Sequence, residues 1–357
     1  MKRNFLKISL LALSSVALLL TSCEKSEDTP DITANNLKGM FVVCEGNFGS
    51  ANGDITFYNS DPAKTVKNLY NSANGLPVGD VVQAFEIVDT LGFIVVNNSQ
   101  KVTVVNMRNF KVIKNIGGFS YPRNVVRANE NTVYISNGKG KNYENNYIYS
   151  IDLKTLTKSD SLDVETGPEK LIVVNSKVYA AIAGGWDNDG NTVIEIDPST
   201  FKITNTFEVA SVPIDLVTDK DNNIWAYCKG VADKNNYSPL TYTNSGISKI
   251  NLSTKVVNNF PLKTMYASEV NCIAANKDGS IIYYLNDGLY AMAITATELP
   301  TAKLVDHMFF GMDVDPKTGN IICLDDANSM AIGYNAKGEK LFSFGTASFP
   351  NSVVFSY

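Results

Sequence analysis

The feature that most constrains the fold is a repeat: the sequence returns to the same pattern at intervals of 40, 46, 45, 57, 40 and 40 residues. A typical unit, Tyr121–Glu165, reads as four short segments rich in β-branched and aromatic residues, separated by Asn, Gly and Asp. Such segments are typical of strands joined by turns. A four-strand unit of this length without a helical period is typical of a β-propeller blade. The units align at Gln83, Arg123, Glu169, Ile214, Asn271, Gly311 and Asn351.

The two ends of the chain complete each other. The last unit holds one strand, Ser352–Tyr357, and the first holds three, at Met40–Cys44, Asp54–Asn59 and Val66–Tyr70. Together they make one blade, so the sequence predicts an all-β, seven-bladed propeller of four-stranded antiparallel blades over residues 39–357. The C-terminal strand closes the ring, which leaves no open sheet edge between the first and last blades.

Residues 1–22 are predicted to be an export signal. A basic start precedes the apolar run Ile8–Leu20, which is too short to span a bilayer. The run ends at Cys23 in a pattern that resembles the lipobox of bacterial lipoproteins, where the cysteine is acylated and becomes the mature N-terminus. An ordinary signal peptide with an incidental cysteine is the alternative. Residues 23–38 then form an acidic tether on the lipidated Cys23.

The tether also suggests a location. Glu24–Asp28 loosely resembles the export tag that sends lipoproteins of Bacteroidetes to the outside of the outer membrane. An acyl chain attaches a protein to a membrane without spanning it. We therefore predict an anchor in outer-membrane lipid, with the propeller facing the cell exterior.

The composition argues against several classes of function. With His307 as the single histidine, no zinc site of two or three histidines can form. The chain has 31 Lys and Arg against 36 Asp and Glu, and no basic stripe, which argues against nucleic-acid binding. The four cysteines beyond Cys23 lie in strand-like runs without C-x-x-C spacing, so we predict buried thiols rather than a disulfide framework.

Two segments resemble cation-binding loops. Asp187 and Asp189 alternate with asparagine ahead of Gly190, which makes them a weak metal candidate. Asp219–Asn223 is similar, but it lies between the first and second strands of its unit, where a tight hairpin turn is expected. The sequence predicts no resident cofactor.

The loops carry the functional signal. In a propeller, the loops between second and third strands and those between blades emerge on one face. The second-to-third loops are long in four units, at Glu45–Gly53, Asn137–Asn146, Gly184–Asn191 and Lys229–Ser245. Aromatic residues in polar loops that converge on one rim favour a binding face, although any one ring can instead pack on its own blade. The predicted ligand-binding residues are Phe48, Tyr121, Arg123, Tyr143, Trp186, Tyr237, Tyr266 and Phe309.

A family resemblance adds to this interpretation. Cys44–Gly49, followed by Asn52–Ile55, resembles the opening motif of the seven-bladed, YncE-like surface lipoproteins of Bacteroidetes, the DUF5074 family. Gly79–Gln83 and Val95–Lys101 resemble that family's next blade, and the resemblance covers essentially the whole mature chain. One branch, the BtuG-like lipoproteins, captures cobalamin and passes it to a TonB-dependent outer-membrane transporter. The resemblance therefore implies a small-molecule nutrient as ligand, cobalamin first, and such a transporter as partner.

Three functions remain open. The first is a capture protein without catalysis. The second is a metal-dependent propeller hydrolase or lactonase, and the third is a scaffold that binds another surface protein. Acidic side chains converging on the central channel would favour the enzyme, whereas aromatic and amide side chains would favour the binder.

Overall fold

The computed structural model describes residues 37–61, 63–237, 240–262 and 272–357. Within these residues the chain forms seven antiparallel sheets and one additional two-stranded hairpin. Six of the sheets have four strands and one has three. The predicted all-β, seven-bladed propeller is therefore confirmed. In the described part of the chain, no helix is long and apolar enough to cross a membrane.

The strands fall into blades in chain order, except that the last strand belongs to the first blade. Blade 1 contains β1 (Gly39–Cys44), β2 (Asp54–Ser60), β3 (Ala63–Val66) and β29 (Pro350–Ser356). Blade 2 contains β4 (Val82–Val88), β5 (Leu91–Val96), β6 (Lys101–Asn106) and β7 (Val112–Ile116). Blade 3 contains β8 (Pro122–Arg127), β9 (Thr132–Asn137), β10 (Tyr147–Asp152) and β11 (Thr157–Asp163). Blade 4 contains β12 (Pro168–Val174), β13 (Lys177–Ile182), β14 (Thr192–Asp197) and β15 (Lys202–Glu208).

The remaining blades complete the ring. Blade 5 contains β16 (Pro213–Thr218), β17 (Ile224–Cys228), β20 (Gly246–Ile250) and β21 (Val257–Pro261), with the hairpin β18 (Val231–Tyr237) and β19 (Leu240–Thr243) inserted between its second and third strands. Blade 6 contains β22 (Ile273–Ala275), β23 (Ile281–Leu285) and β24 (Leu289–Ala293). Blade 7 contains β25 (Gly311–Val314), β26 (Ile321–Asp325), β27 (Met330–Tyr334) and β28 (Lys340–Gly345). The first strands of neighbouring blades contact one another around a central channel.

The ring closes as the two ends predict. Strand β29 pairs antiparallel with β1, with Val42 opposite Val353 and Met40 opposite Phe355. The C-terminal strand is thereby the innermost strand of blade 1, whose other three strands come from the N-terminal part of the propeller. The first and last units are joined by a hydrogen-bonded ladder.

Apolar side chains between the blades hold the ring together. Between blades 1 and 2, Phe41 lies 5.0 Å from Phe57, 5.5 Å from Phe85 and 6.1 Å from Phe110, measured between ring centroids. Burying one such ring stabilises the fold by about 1.5–3 kcal/mol. The cysteines of the described residues, Cys44, Cys228, Cys272 and Cys323, are buried and none forms a disulfide, as their apolar settings predict.

The third strand of blade 1 differs from its predicted position. It ends at Val66, and Leu69–Asn74 forms a short helix, α1, instead of continuing the strand. The buried carboxylate of Asp54 accepts hydrogen bonds from the backbone N–H groups of Tyr70 (2.7 Å) and Asn71 (3.0 Å), which otherwise have no partner in the first turn. Gly75, with φ of 73°, ends the helix. The side chain of Asp54, on the neighbouring strand β2, therefore stabilises a helix at this position.

Two other blades also depart from the regular pattern. Among the described residues, blade 6 has no fourth strand, and its outer edge is met only by a bridge between Leu289 and Val305. The long segment predicted as a loop at Lys229–Ser245 contains the β18–β19 hairpin. The expected turn at Asp219 is confirmed: its carboxylate accepts hydrogen bonds from the N–H groups of Asp221 and Asn223, both at 2.9 Å.

Candidate functional site

A cavity of about 340 Å³ opens at the mouth of the central channel, on the face formed by the second-to-third and blade-to-blade loops. We call this face the rim and this space the rim cavity. It takes residues from blades 1, 2, 3, 4 and 7. The side chains that line it are mostly aromatic or amide-bearing. They are Glu45, Phe48, Val81, Gln83, Asn97, Asn98, Gln100, Ser120, Tyr121, Arg123, Lys139, Trp186 and Phe310, together with Gly46.

Four of the eight predicted ligand-binding residues line the rim cavity: Phe48, Tyr121, Arg123 and Trp186. Phe48 and Trp186 are 80% and 54% exposed, which is unusual for large apolar side chains and leaves them open to a ligand. These four predicted residues lie far apart in the sequence, and the fold brings them together at one site.

The other four predicted residues have different positions. Tyr143 lies beside the cavity, with its ring 5.5 Å from that of Trp186. Phe309 does not reach the cavity, because its ring is buried against Tyr334 in blade 7, and we leave it out of the site. Its neighbour Phe310 lines the cavity instead. The side chain of Tyr237 and all of Tyr266 lie outside the described residues.

The aromatic side of the cavity is built around Trp186. Tyr121 and Tyr143 both meet its ring edge-on, at 5.5 Å between centroids and interplanar angles of 78° and 84°. The ammonium of Lys139 lies 4.6 Å from the centroid of the same ring. Edge-on contacts hold an aromatic ring in place without covering its whole surface. The indole is therefore supported from several sides while half of it stays accessible.

The loops that carry these rings are tied to their neighbours. The carboxylate of Asp80 in blade 2 accepts hydrogen bonds from the N–H of Gly49, at 3.1 and 2.9 Å, and so holds the loop of Phe48. The carboxylate of Asp187 accepts from the N–H and the side-chain amide of Asn142, both at 2.9 Å, and so ties blade 4 to blade 3. Because such bonds cross between blades, the loops are organised before a ligand arrives.

The first strands present side chains to the channel through β-bulges. In blades 1, 2, 3 and 5 the ladder skips one residue on the inner strand, and in blade 4 it skips two, Glu169 and Lys170, against one, Ala181, on the next strand. A bulge re-aims the extra side chain while the strand continues. The four single bulged residues are Asn351, Gln83, Arg123 and Ile214.

The polar bulged side chains form a hydrogen-bonded belt at the rim cavity, which Gln83 and Arg123 line. Arg123 donates from Nε to Oε2 of Glu169 at 2.6 Å and from a terminal nitrogen to Oε1 of Gln83 at 2.7 Å. Asn351 donates to Oε1 of Glu45 at 2.9 Å. Burial tends to lower the pKa of Arg123, but the nearby Glu169 outweighs it and raises that pKa. The guanidinium is therefore a fixed cation, and its charge is balanced within the belt.

The sequence analysis did not identify Lys139 or the amide side chains of Gln83, Asn97, Asn98 and Gln100 as site residues. The signal for Gln83 was present, because the repeat alignment places it at the same position as Arg123, and both are bulged residues. Asn97, Asn98 and Gln100 follow the second strand of blade 2, a place where polar residues are ordinary turn formers. Only the three-dimensional structure shows that this turn faces the rim cavity.

The weak metal candidates have other partners. Asp187 binds Asn142, and Asp189 accepts a hydrogen bond from the hydroxyl of Thr166 at 3.1 Å. Within the described ranges, no group of three or more His, Cys, Asp or Glu side chains is arranged to hold a metal ion. The single histidine, His307, lies 3.1 Å from Oδ2 of Asp325, measured from Nε2.

Acidic side chains lie further down the channel. Asp215 lies 3.5 Å from the ammonium of Lys170, and Glu86 and Asp313 line the same part of the channel as that lysine. Burial raises the pKa of Glu86 to about 7 and that of Asp313 to about 6. The rim cavity is thus aromatic and amide-rich, and the carboxylates gather below it around one lysine.

Comparison with known proteins places the chain among propellers. A family model described as a domain of unknown function, DUF5074, matches residues 38–349. A comparison with curated proteins found no match. A quinonprotein alcohol dehydrogenase-like protein from Bacteroides thetaiotaomicron is 16% identical with a TM-score of 0.65, covering 90% of this chain and 79% of its own. The periplasmic gluconolactonase of Pseudomonas aeruginosa is 9% identical with a TM-score of 0.63, covering 89% and 99%. At these identities the likeness shows the fold alone.

Proposed function

Because the chain belongs to the DUF5074 family over residues 38–349, we propose that it is a lipid-anchored surface protein that captures a large nutrient without chemically changing it. Cobalamin is the first candidate ligand, and a TonB-dependent outer-membrane transporter is the proposed recipient. The anchor in this proposal is an acyl chain on Cys23 in the outer membrane, with the propeller facing the cell exterior.

The observation that carries the proposal is the composition of the rim cavity. Exposed rings of Phe48 and Trp186 stand beside side-chain amides of Gln83, Asn98 and Gln100. Aromatic faces cover apolar planar surfaces, and side-chain amides pair with the amides of a ligand as both donors and acceptors. A corrin ring with amide arms offers both kinds of surface. Cobalamin is larger than the cavity, so the exposed rings around the mouth would cover the part that protrudes.

Calorimetric titration of the purified chain with cyanocobalamin tests this proposal. One-to-one binding with a micromolar or lower Kd, lost in a Phe48→Ala, Trp186→Ala double variant that still folds, is the expected result. No heat with cyanocobalamin at any accessible concentration would remove cobalamin as the ligand. A pull-down of the transporter with the lipidated protein then tests delivery.

A hydrolase is the second candidate, favoured by the carboxylates Glu86, Asp215 and Asp313 in the channel. In this function Asp313, whose pKa is raised by burial, would act as the general base that activates water. Lactone hydrolysis that is abolished by Asp313→Asn would establish it. The same variant is expected to bind cobalamin as the wild type does, because Asp313 does not line the rim cavity.

A further inference from the structure

Lys139 lines the rim cavity. In the part of the chain that the structure describes, its ammonium has no carboxylate partner, because every salt bridge there involves other residues. The contact made by its Nζ is with the indole face of Trp186, at 4.6 Å from the ring centroid. A lysine ammonium that packs on an aromatic ring keeps N–H donors available for a ligand.

The backbone fixes where this ammonium lies. The carbonyl of Lys139 accepts a hydrogen bond from the N–H of Trp186 at 2.6 Å. A Cβ atom on Gly185 would lie 2.2 Å from that same carbonyl oxygen, so the two loops can approach this closely only because residue 185 is glycine. The lysine and the tryptophan are thus positioned as one unit.

The other cation of the cavity is already balanced. Arg123 is bound by Glu169 at 2.6 Å and by Gln83 at 2.7 Å, in a setting where both charged side chains are mostly buried. Two of its three nitrogens, Nε and Nη1, donate to these bulged residues. The positive charge available to a ligand therefore belongs to Lys139.

We propose that Lys139 is an anion subsite of the rim cavity. It holds a phosphate or carboxylate group of the ligand while the ligand's planar part lies on Trp186 and Phe48. An ammonium recognises such oxygen anions through short charge-assisted hydrogen bonds. The inference rests on the proposed capture function and narrows its ligand class to planar molecules that carry an anionic group. The phosphodiester of cobalamin is one such group.

Tryptophan fluorescence tests the subsite with simple probes. The chain has two tryptophans, and Trp225 is fully buried, so an added ligand changes the emission of Trp186. The probes are phenyl phosphate, benzoate and the neutral analogue benzamide. We expect both anions to bind more tightly than benzamide, and the stronger of the two to identify the preferred anionic group. Rising salt concentration should weaken the binding of the two anions and leave the binding of benzamide unchanged.

Variants locate the effect. Lys139→Gln should weaken the binding of the anions about tenfold, the effect of losing one charge-assisted contact. Lys139→Arg should retain most of the affinity. Lys141→Gln is the matched control, because Lys141 lies in the same loop but is exposed and does not line the cavity. Anion binding that is equal in the wild type and in Lys139→Gln, or anions that bind no better than benzamide, would overturn the subsite.

The outcome separates this inference from the function it rests on. If phenyl phosphate binds through Lys139 and cyanocobalamin does not bind, the anion subsite is supported and cobalamin is rejected as the ligand. The opposite result is that cyanocobalamin binds equally to the wild type and to Lys139→Gln, and that the binding of phenyl phosphate and benzoate does not depend on Lys139. The capture function is then supported and the anion subsite is rejected. Dicyanocobinamide lacks the phosphodiester. If Lys139 binds that group, dicyanocobinamide should bind the wild type and Lys139→Gln with equal affinity.

Discussion

The carboxylate of Asp80 holds the backbone of Gly49 with both of its oxygens, at 3.1 and 2.9 Å from the amide nitrogen. The residue next to Gly49 is Phe48, the most exposed large apolar side chain of the described residues. Asp80 lies in the connection that leads into blade 2, and Phe48 lies in a loop of blade 1, so a contact from outside that loop sets the position of a ring at the rim. The position of Phe48 therefore depends on the neighbouring blade connection and not on its own loop alone.

Replacing Asp80 tests this dependence. Asp80→Ala should release the loop of Phe48 and weaken ligand binding about tenfold, because the ring must then be ordered when the ligand binds. The stability cost should be about 1–2 kcal/mol for the lost hydrogen bonds of a mostly buried carboxylate. Titration calorimetry and urea unfolding measure the two effects. Asp89→Ala, in the same blade but outside the rim cavity, is the control and should leave binding intact.

The rings around Trp186 are expected to contribute to binding rather than to folding. Trp186→Ala combined with Tyr143→Ala should weaken ligand binding by about tenfold or more, since aromatic side chains often dominate binding energies. The melting temperature should change little because both rings are substantially exposed. Leu341→Ala removes an equally exposed side chain from the outer strand of blade 7 and serves as the control. Unchanged binding in the folded double variant would remove these two loops from the site.

The pair of Arg123 and Glu169 should respond differently to one substitution and to two. Arg123→Met leaves a mostly buried carboxylate without its partner and should destabilise the fold by about 3–5 kcal/mol. Adding Glu169→Gln removes the uncompensated charge and should recover part of that loss. Urea unfolding of the two single variants and the double variant measures the coupling. If the loss of unfolding free energy in the double variant equals the sum of the losses in the two single variants, the pair does not act as a unit.

Buried carboxyls predict how stability depends on pH. Burial raises the pKa of Glu86 to about 7, and those of Asp54 and Asp313 to about 6. Between about pH 4 and 7 the folded chain therefore binds more protons than the unfolded chain, so stability should rise as the pH falls through this window. Below that window it should fall again, because hydrogen bonds from Thr155 lower the pKa of carboxylates such as Asp152.

Thermal melts across this range check the prediction. The melting temperature should be a few degrees higher at pH 5 than at pH 7.5. Glu86→Gln removes one of the groups that titrate in this window and should flatten the profile between pH 5 and 7. A melting temperature that falls steadily from pH 7.5 to pH 5 in the wild type would contradict the raised pKa values.

The repeat made the fold predictable, whereas details that depend on contacts between units were not. Blade number, strand positions and closure by β29 follow from a pattern that recurs along the chain. The helix α1 does not, because it depends on the carboxylate of Asp54 in another strand. At the site, the exposed rings of Phe48 and Trp186 were predictable as aromatics in polar loops. Which of the neighbours Phe309 and Phe310 faces the cavity was not, since both occupy the same connection.

The repeated bulge separates what the channel displays from what each blade needs in order to fold. A bulged residue such as Gln83 or Arg123 lies outside the ladder register, so its side chain is not constrained by a partner across the strand. Its identity can change without shifting the register of any strand. The bulges therefore place exchangeable side chains on a constant frame, and exchanging a bulged residue together with its hydrogen-bonded partner is a route by which one architecture acquires new ligands.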